Sequence, residues 1–100
     1  MIKHIVIWRV KDRENEQTRA PITWAIKAKL EGLRGRIPGL LHIEAGCDFS
    51  RSETAYDVAL YSEFESRSAL DGYQVHPEHE EVASYIRERC TDRAIVDYEV

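Results

Sequence analysis

The chain has 100 residues, 43% of them apolar and 32% charged, with a formal net charge of −4 and acidic and basic residues intermixed. That size implies one domain, spanning 1–100, with a thin core. The charge balance leaves no basic patch of the kind that holds nucleic acid, and no apolar run approaches the roughly 20 residues that cross a bilayer.

Residues 2–11 predict a strand, with Ile2, His4, Val6, Trp8 and Val10 on one face and Lys3, Ile5, Ile7, Arg9 and Lys11 on the other. Both faces are apolar in the middle, which implies cover on both sides. Residues 16–36 predict a helix, because Ile22, Ile26, Leu30, Leu33 and Ile37 keep to one helical stripe. Pro21 is tolerated only in a first turn, so the helix starts near Thr18 or bends at Pro21. Pro38-Gly39 stops it.

Residues 40–48 predict a second strand, with Leu41, Ile43, Ala45 and Cys47 together. The polar stretch 48–54 is a hairpin loop, and 55–64 predict a third strand. Ser66 suits the N-cap of a short helix carrying Ala69, Leu70 and Tyr73. A further helix follows at once, with His76 at its cap and Pro77 in its first turn. Its early glutamates and its late Arg87 and Arg89 match the helix dipole. Residues 93–100 close the chain as a strand.

The order is β-α-β-β-α-β, with the second α split in two. This is the ferredoxin-like arrangement of a four-stranded antiparallel sheet with helices on one side, an α+β fold. The other sheet face, assigned Ile5, Ile7, Ala59, Tyr61 and Ile95, would leave an apolar patch in water. Such a patch predicts an interface, and so a homodimer.

The segment from Leu70 to His79 concentrates the candidate chemistry. His79 leads a stripe through Val82, Ala83 and Ile86, so it faces inward, and Tyr73 shares the face of Ala69 and Leu70. His4 lies on the strand face expected beneath the helices. Three protonatable groups converge on one apolar layer, where each needs a hydrogen-bond partner. A His and a Tyr so placed suit acid–base work on a carbonyl, yet buried His and Tyr are more often core residues. Trp8 and Trp24 line the pocket or fill the core, with core the simpler reading.

His76 and His79 have the spacing of a metal pair but lack a third ligand, so no metal is expected. No phosphate-binding loop or nucleophile elbow occurs, and no cofactor is expected. Cys47 and Cys90 are expected to be reduced and inert. The opening segment does not read as a secretory signal, which makes the cytoplasm the expected compartment.

The opening Met1-Ile2-Lys3-His4-Ile5-Val6, the Ile37-Pro38-Gly39 stop, the Asp57-Val58-Ala59-Leu60 strand, the Tyr73-Gln74-Val75-His76-Pro77-Glu78-His79 segment and the closing Val96-Asp97-Tyr98 resemble the Dabb family of stress-responsive dimeric α/β-barrel proteins. The resemblance covers essentially the whole chain. It implies two ferredoxin-like subunits packed sheet to sheet into a barrel, with a pocket in each subunit between helices and sheet. Most members have no assigned reaction. One plant branch closes a linear polyketide by an intramolecular aldol reaction, using a Tyr and a His that match Tyr73 and His79, and its strand-one His matches His4. The chain departs from that branch at Val58, where the cyclase has another pocket His, and at Trp8, which replaces an aliphatic residue.

Residues His4, Val6, Trp8, Val58 and His76 are therefore the expected pocket, around Tyr73 and His79 as the candidate catalytic pair. The leading expectation is a dimer that binds a small apolar carbonyl compound, with cyclase- or lyase-like chemistry if it is an enzyme. The alternatives are a non-enzymatic stress-linked binding or structural dimer, with Tyr73 and His79 bonded to each other, and a cofactor-free monooxygenase.

Overall fold

The computed structural model describes residues 1–100. Its elements are β1 (Ile2–Val10), α1 (Glu16–Glu31), β2 (Leu40–Cys47), β3 (Val58–Phe64), α2 (Arg67–Val75), α3 (Pro77–Arg89) and β4 (Cys90–Glu99). The four strands form one antiparallel sheet in the order β2-β3-β1-β4. This is the ferredoxin-like βαββαβ topology, and the helices lie on one sheet face.

β1 sits centrally, and its alternation decides that face. Ile2, His4, Val6, Trp8 and Val10 are all buried, while the residues between them are half-buried. Ile43 and Ala45 of β2, and Val58, Leu60, Ser62 and Phe64 of β3, bury on the same side. α1 covers this layer with Ile26 and Leu30, and the stripe continues into the buried Leu33 and Ile37.

α1 begins at Glu16, capped by the Asn15 side chain accepting from the Gln17 amide at 3.1 Å. Pro21 therefore lies inside the helix rather than in its first turn. The helix ends at Glu31, earlier than the apolar stripe suggests, because Gly32 opens a series of turns in which Gly35 takes a positive φ. Gly39 also has a positive φ of 79°, and a Cβ there would stand 2.5 Å from the Ala69 Cβ. Only glycine allows both the turn and the close approach of α2.

Three side chains depart from the expected placement. Leu41 was expected inward but is exposed, because the β2–β3 register slips between Leu40 and His42 and leaves it unpaired in a bulge. Ile95 pairs with Val6 and so lies on the helix face, not on the open face. Ala94, Val96 and Tyr98 take the open face instead, opposite Ile7, Ile5 and Lys3. Trp24, expected in core or pocket, points outward at 61% exposure.

The open face thus carries Ile5, Ile7, Ala59, Tyr61, Val96 and Tyr98. Polar pairs rim it: Lys3 with Glu63 at 3.9 Å, and His42 with Glu44 at 2.9 Å. No helix is long and apolar enough to cross a membrane.

A buried ion cluster ties the start of the chain together. Asp57 has no solvent exposure and accepts from the Val10 amide at 2.9 Å, Arg19 Nε at 2.9 Å and Arg13 Nε at 3.1 Å. It joins the end of β1, the turn after it, the first turns of α1 and the entry to β3. Burial pushes its carboxyl upward, but Arg13, the Val10 amide and Arg19 together outweigh that and hold it below the usual carboxylate range.

Candidate functional site in the helix–sheet cavity

A cavity of about 520 Å³ opens between α3 and the β1–β4 side of the sheet. Its volume falls within the roughly 300–1,000 Å³ of small-molecule sites. His4, Val6 and Trp8 form the floor, and Tyr73 and His79 form the wall toward α2 and α3.

Local sequence explains why those two side chains meet. Ser66 caps α2 by accepting from the Ala69 amide at 3.1 Å, and the helix buries Leu70 and Tyr73 one turn apart. The residue before a proline avoids the helical region, and His76 sits at φ −67°, ψ 134°. The chain therefore breaks at His76 and restarts as α3 at Pro77. His76 Nδ1 accepts from the Glu78 amide at 3.2 Å and caps the new helix. Three residues in, His79 turns back onto Tyr73.

The Tyr73 and His79 rings stand 4.1 Å apart, centroid to centroid, tilted by 44°. Phe64 packs on Tyr73 with ring centroids 4.9 Å apart, and His4 presents an edge to it at 5.9 Å. Tyr73 is fully buried, yet its hydroxyl has no hydrogen-bond partner, and neither does Nδ1 of His79. Burial drives the Tyr73 hydroxyl well above its usual value, against the opposing charge of Arg93, so it stays protonated. Burial also depresses His79 below its ordinary 6.5, although the Gln74 backbone favours the charged ring. His79 is accordingly a neutral base at pH 7, beside a neutral donor.

His4 is held differently. Its Nδ1 is hydrogen-bonded to the Asp97 carboxylate across β1 and β4. The carboxylate fixes the ring's orientation and engages that nitrogen. Sequence reasoning did not single out Asp97, because only the β1–β4 pairing reveals it as the neighbour of His4.

Two expected pocket residues lie outside the cavity. Val58 is buried core, paired with Trp8 and Cys47, and does not line the cavity. His76 is committed to capping α3. Conversely, Arg87, Cys90, Arg93 and Ile95 line the cavity and were not anticipated. Cys90 gives no nucleophile, since burial pushes its thiol up to about 11.

Residues 2–100 match the stress responsive A/B barrel domain (Dabb) family. An uncharacterized protein of Streptomyces coelicolor is 31% identical over 99% of both chains. A dimeric protein of unknown function with a ferredoxin-like fold, from Bacteroides fragilis, superposes with a TM-score of 0.89 at 31% identity, covering 99% of this chain and 95% of the other. The hydroxynitrile lyase of Passiflora edulis superposes at 0.76 with 21% identity, covering 97% and 90% of the two chains, and shares the fold alone. The chain belongs to the Dabb family of stress-responsive A/B barrel domains.

Proposed function

We propose that the protein works as a homodimer, and that its helix–sheet cavity binds a small, largely apolar carbonyl compound and moves a proton next to that carbonyl. The observation that carries this reading is the pair of orphaned buried polar atoms, Tyr73 Oη and His79 Nδ1, on adjacent rings that line a roomy cavity. An unpartnered buried donor costs about 1–3 kcal/mol. A ligand that supplies the missing partner accounts for its being kept.

The chemistry follows from the two neutral groups. Tyr73 donates its O–H to the carbonyl oxygen of the ligand. His79 Nδ1 takes the proton from the adjacent carbon as the C–H bond breaks. The electron pair moves into the new C=C bond, and the oxyanion that forms is held by the Tyr73 hydroxyl. Return of the proton at another position, attack of the enolate on a second carbonyl, or loss of a leaving group each completes a cyclase- or lyase-like cycle. His4, oriented by Asp97, shapes the floor beneath Tyr73.

The dimer reading rests on the open sheet face, where Ile5, Ile7, Val96 and Tyr98 form an apolar patch inside a polar rim. The Bacteroides fragilis protein is itself dimeric. Packing two such faces together makes the closed barrel that gives the family its name. A purely structural Tyr73–His79 pair has less support, since the two rings share no hydrogen bond.

Deuterium incorporation next to the ketone of butyrophenone, followed by NMR in heavy water, tests the proposed step. The wild-type protein should speed exchange about a hundredfold over buffer, and His79→Gln and Tyr73→Phe should reduce it to background. Equal exchange in all three proteins, or none in any, overturns the proposal.

A further inference from the structure

The cavity has a second chemical character that Tyr73 and His79 do not use. The chain contains ten arginines. Eight of them place the guanidinium on a polar partner: Arg9 on the Glu53 carbonyl, Arg13 and Arg19 on Asp57, Arg34 on the Ile43 carbonyl, Arg36 on Glu78, Arg51 on Glu16, Arg67 on Glu99 and Arg89 on the Tyr85 carbonyl. The two without a partner are Arg87 and Arg93, and both line the cavity. In a chain of net charge −4, the two uncommitted guanidinium groups are thus gathered at one site.

Their placement follows from the fold. Arg93 pairs with Trp8 across β1 and β4, so it rises on the face of Trp8 and His4. Arg87 lies two helical turns beyond His79 on α3 and approaches from above. The acidic groups nearby form no ion pair with them. Asp92 lines the same cavity, but its carboxylate takes the Thr91 hydroxyl at 3.1 Å rather than either guanidinium. Asp97 is occupied by His4. A guanidinium is the side chain best shaped to hold a carboxylate through two parallel hydrogen bonds.

We infer that the ligand of this cavity carries a carboxylate as well as its carbonyl, and that Arg93, supported by Arg87, binds the carboxylate while Tyr73 meets the carbonyl oxygen. This rests on the Tyr73–His79 reading above and adds the class of substrate: an oxo acid with an apolar body. Arg93 thereby fixes which end of the molecule reaches His79.

Calorimetric titration of two probes separates the inference from the reading beneath it. One probe is 4-oxo-4-phenylbutanoate; the other is butyrophenone, which has the same skeleton with a methyl group in place of the carboxylate. Wild type should bind the acid about tenfold tighter, and Arg93→Gln should erase most of that preference while leaving butyrophenone unchanged. Raising salt from about 50 to about 300 mM should weaken only the acid. Arg93 is exposed, so Arg93→Gln leaves the fold intact. If both probes bind equally, or the preference survives in Arg93→Gln, while Tyr73→Phe still weakens both, the carboxylate inference fails and the carbonyl site stands. If neither probe binds, or Tyr73→Phe changes neither, both fail together.

Discussion

The rings of Tyr73 and His79 lie 4.1 Å apart, yet neither the tyrosine hydroxyl nor Nδ1 of the histidine has a hydrogen-bond partner. Two polar groups have been brought into an apolar layer and left unsatisfied next to one another. Core packing alone would favour Phe at position 73. The stability consequences of that arrangement can be measured separately from any activity.

Tyr73→Phe should therefore leave the protein as stable as wild type or more stable, by about 1 kcal/mol, because it removes an unpartnered buried hydroxyl without opening a cavity. Urea denaturation with an unchanged m-value checks this. A loss of stability of the same size would mean that the hydroxyl is bonded in the folded protein. Stabilisation accompanied by loss of ketone binding marks the residue as kept for function.

His79 sets the pH dependence. Its folded-state pKa lies below the ordinary 6.5, chiefly through burial. Between the two values the unfolded chain binds more protons than the folded one, so stability rises with pH across that window and falls as pH drops below 6.5. His79→Gln should remove this component, which shows as a smaller difference between urea midpoints at pH 5 and pH 7. Proton exchange into the ketone should follow the neutral ring and so rise with pH through the same window, reaching a plateau by neutrality.

Asp57 anchors Arg13, Arg19 and the Val10 amide without solvent contact. Asp57→Asn leaves the buried Arg19 with only the exposed Glu16, at 3.7 Å, as a counter-charge and should cost about 3 kcal/mol. The native carboxyl is held below the usual range, so its contribution is complete above about pH 4 and is lost as pH falls through the depressed folded value. Thermal unfolding from pH 3 to 7 should show a steeper acid limb for wild type than for the variant.

Val96 is 59% exposed and sits amid the apolar patch of the open sheet face. Val96→Asp places a charge at the centre of the proposed interface and should raise the dimer dissociation constant by about thirtyfold or more. Sedimentation at several concentrations reads this directly. A wild-type protein that sediments as a monomer would remove the barrel.

The element order was legible because the apolar period changes sharply along the chain, from two at Ile2–Val10 to near 3.6 at Ile22–Leu33. The same periods place His4, Tyr73 and His79 on inward faces, and the structure brings all three to one cavity. What could not be read depends on pairing between distant segments. Asp97 and Arg93 belong to the site only because β4 aligns with β1 in a particular register. A bulge between Leu40 and His42 turned Leu41 outward, and a second register shift, between Cys90 and Asp92, accompanies the entry of β4 into the sheet. Asp57 read as an ordinary alternating strand residue, since nothing local shows that Arg13 and Arg19 converge on it.

The central claim is that Tyr73 donates to the carbonyl of a molecule held beside His79. Butyrophenone labelled with carbon-13 at its ketone carbon reports on that contact alone. The carbonyl resonance should move downfield when the ketone binds wild type, as a hydrogen bond polarises the C=O, and should stay at its free position with Tyr73→Phe. Failure of the ketone to bind wild type, or the same downfield shift in both proteins, would contradict the assignment of Tyr73 and His79 as the working centre of the cavity.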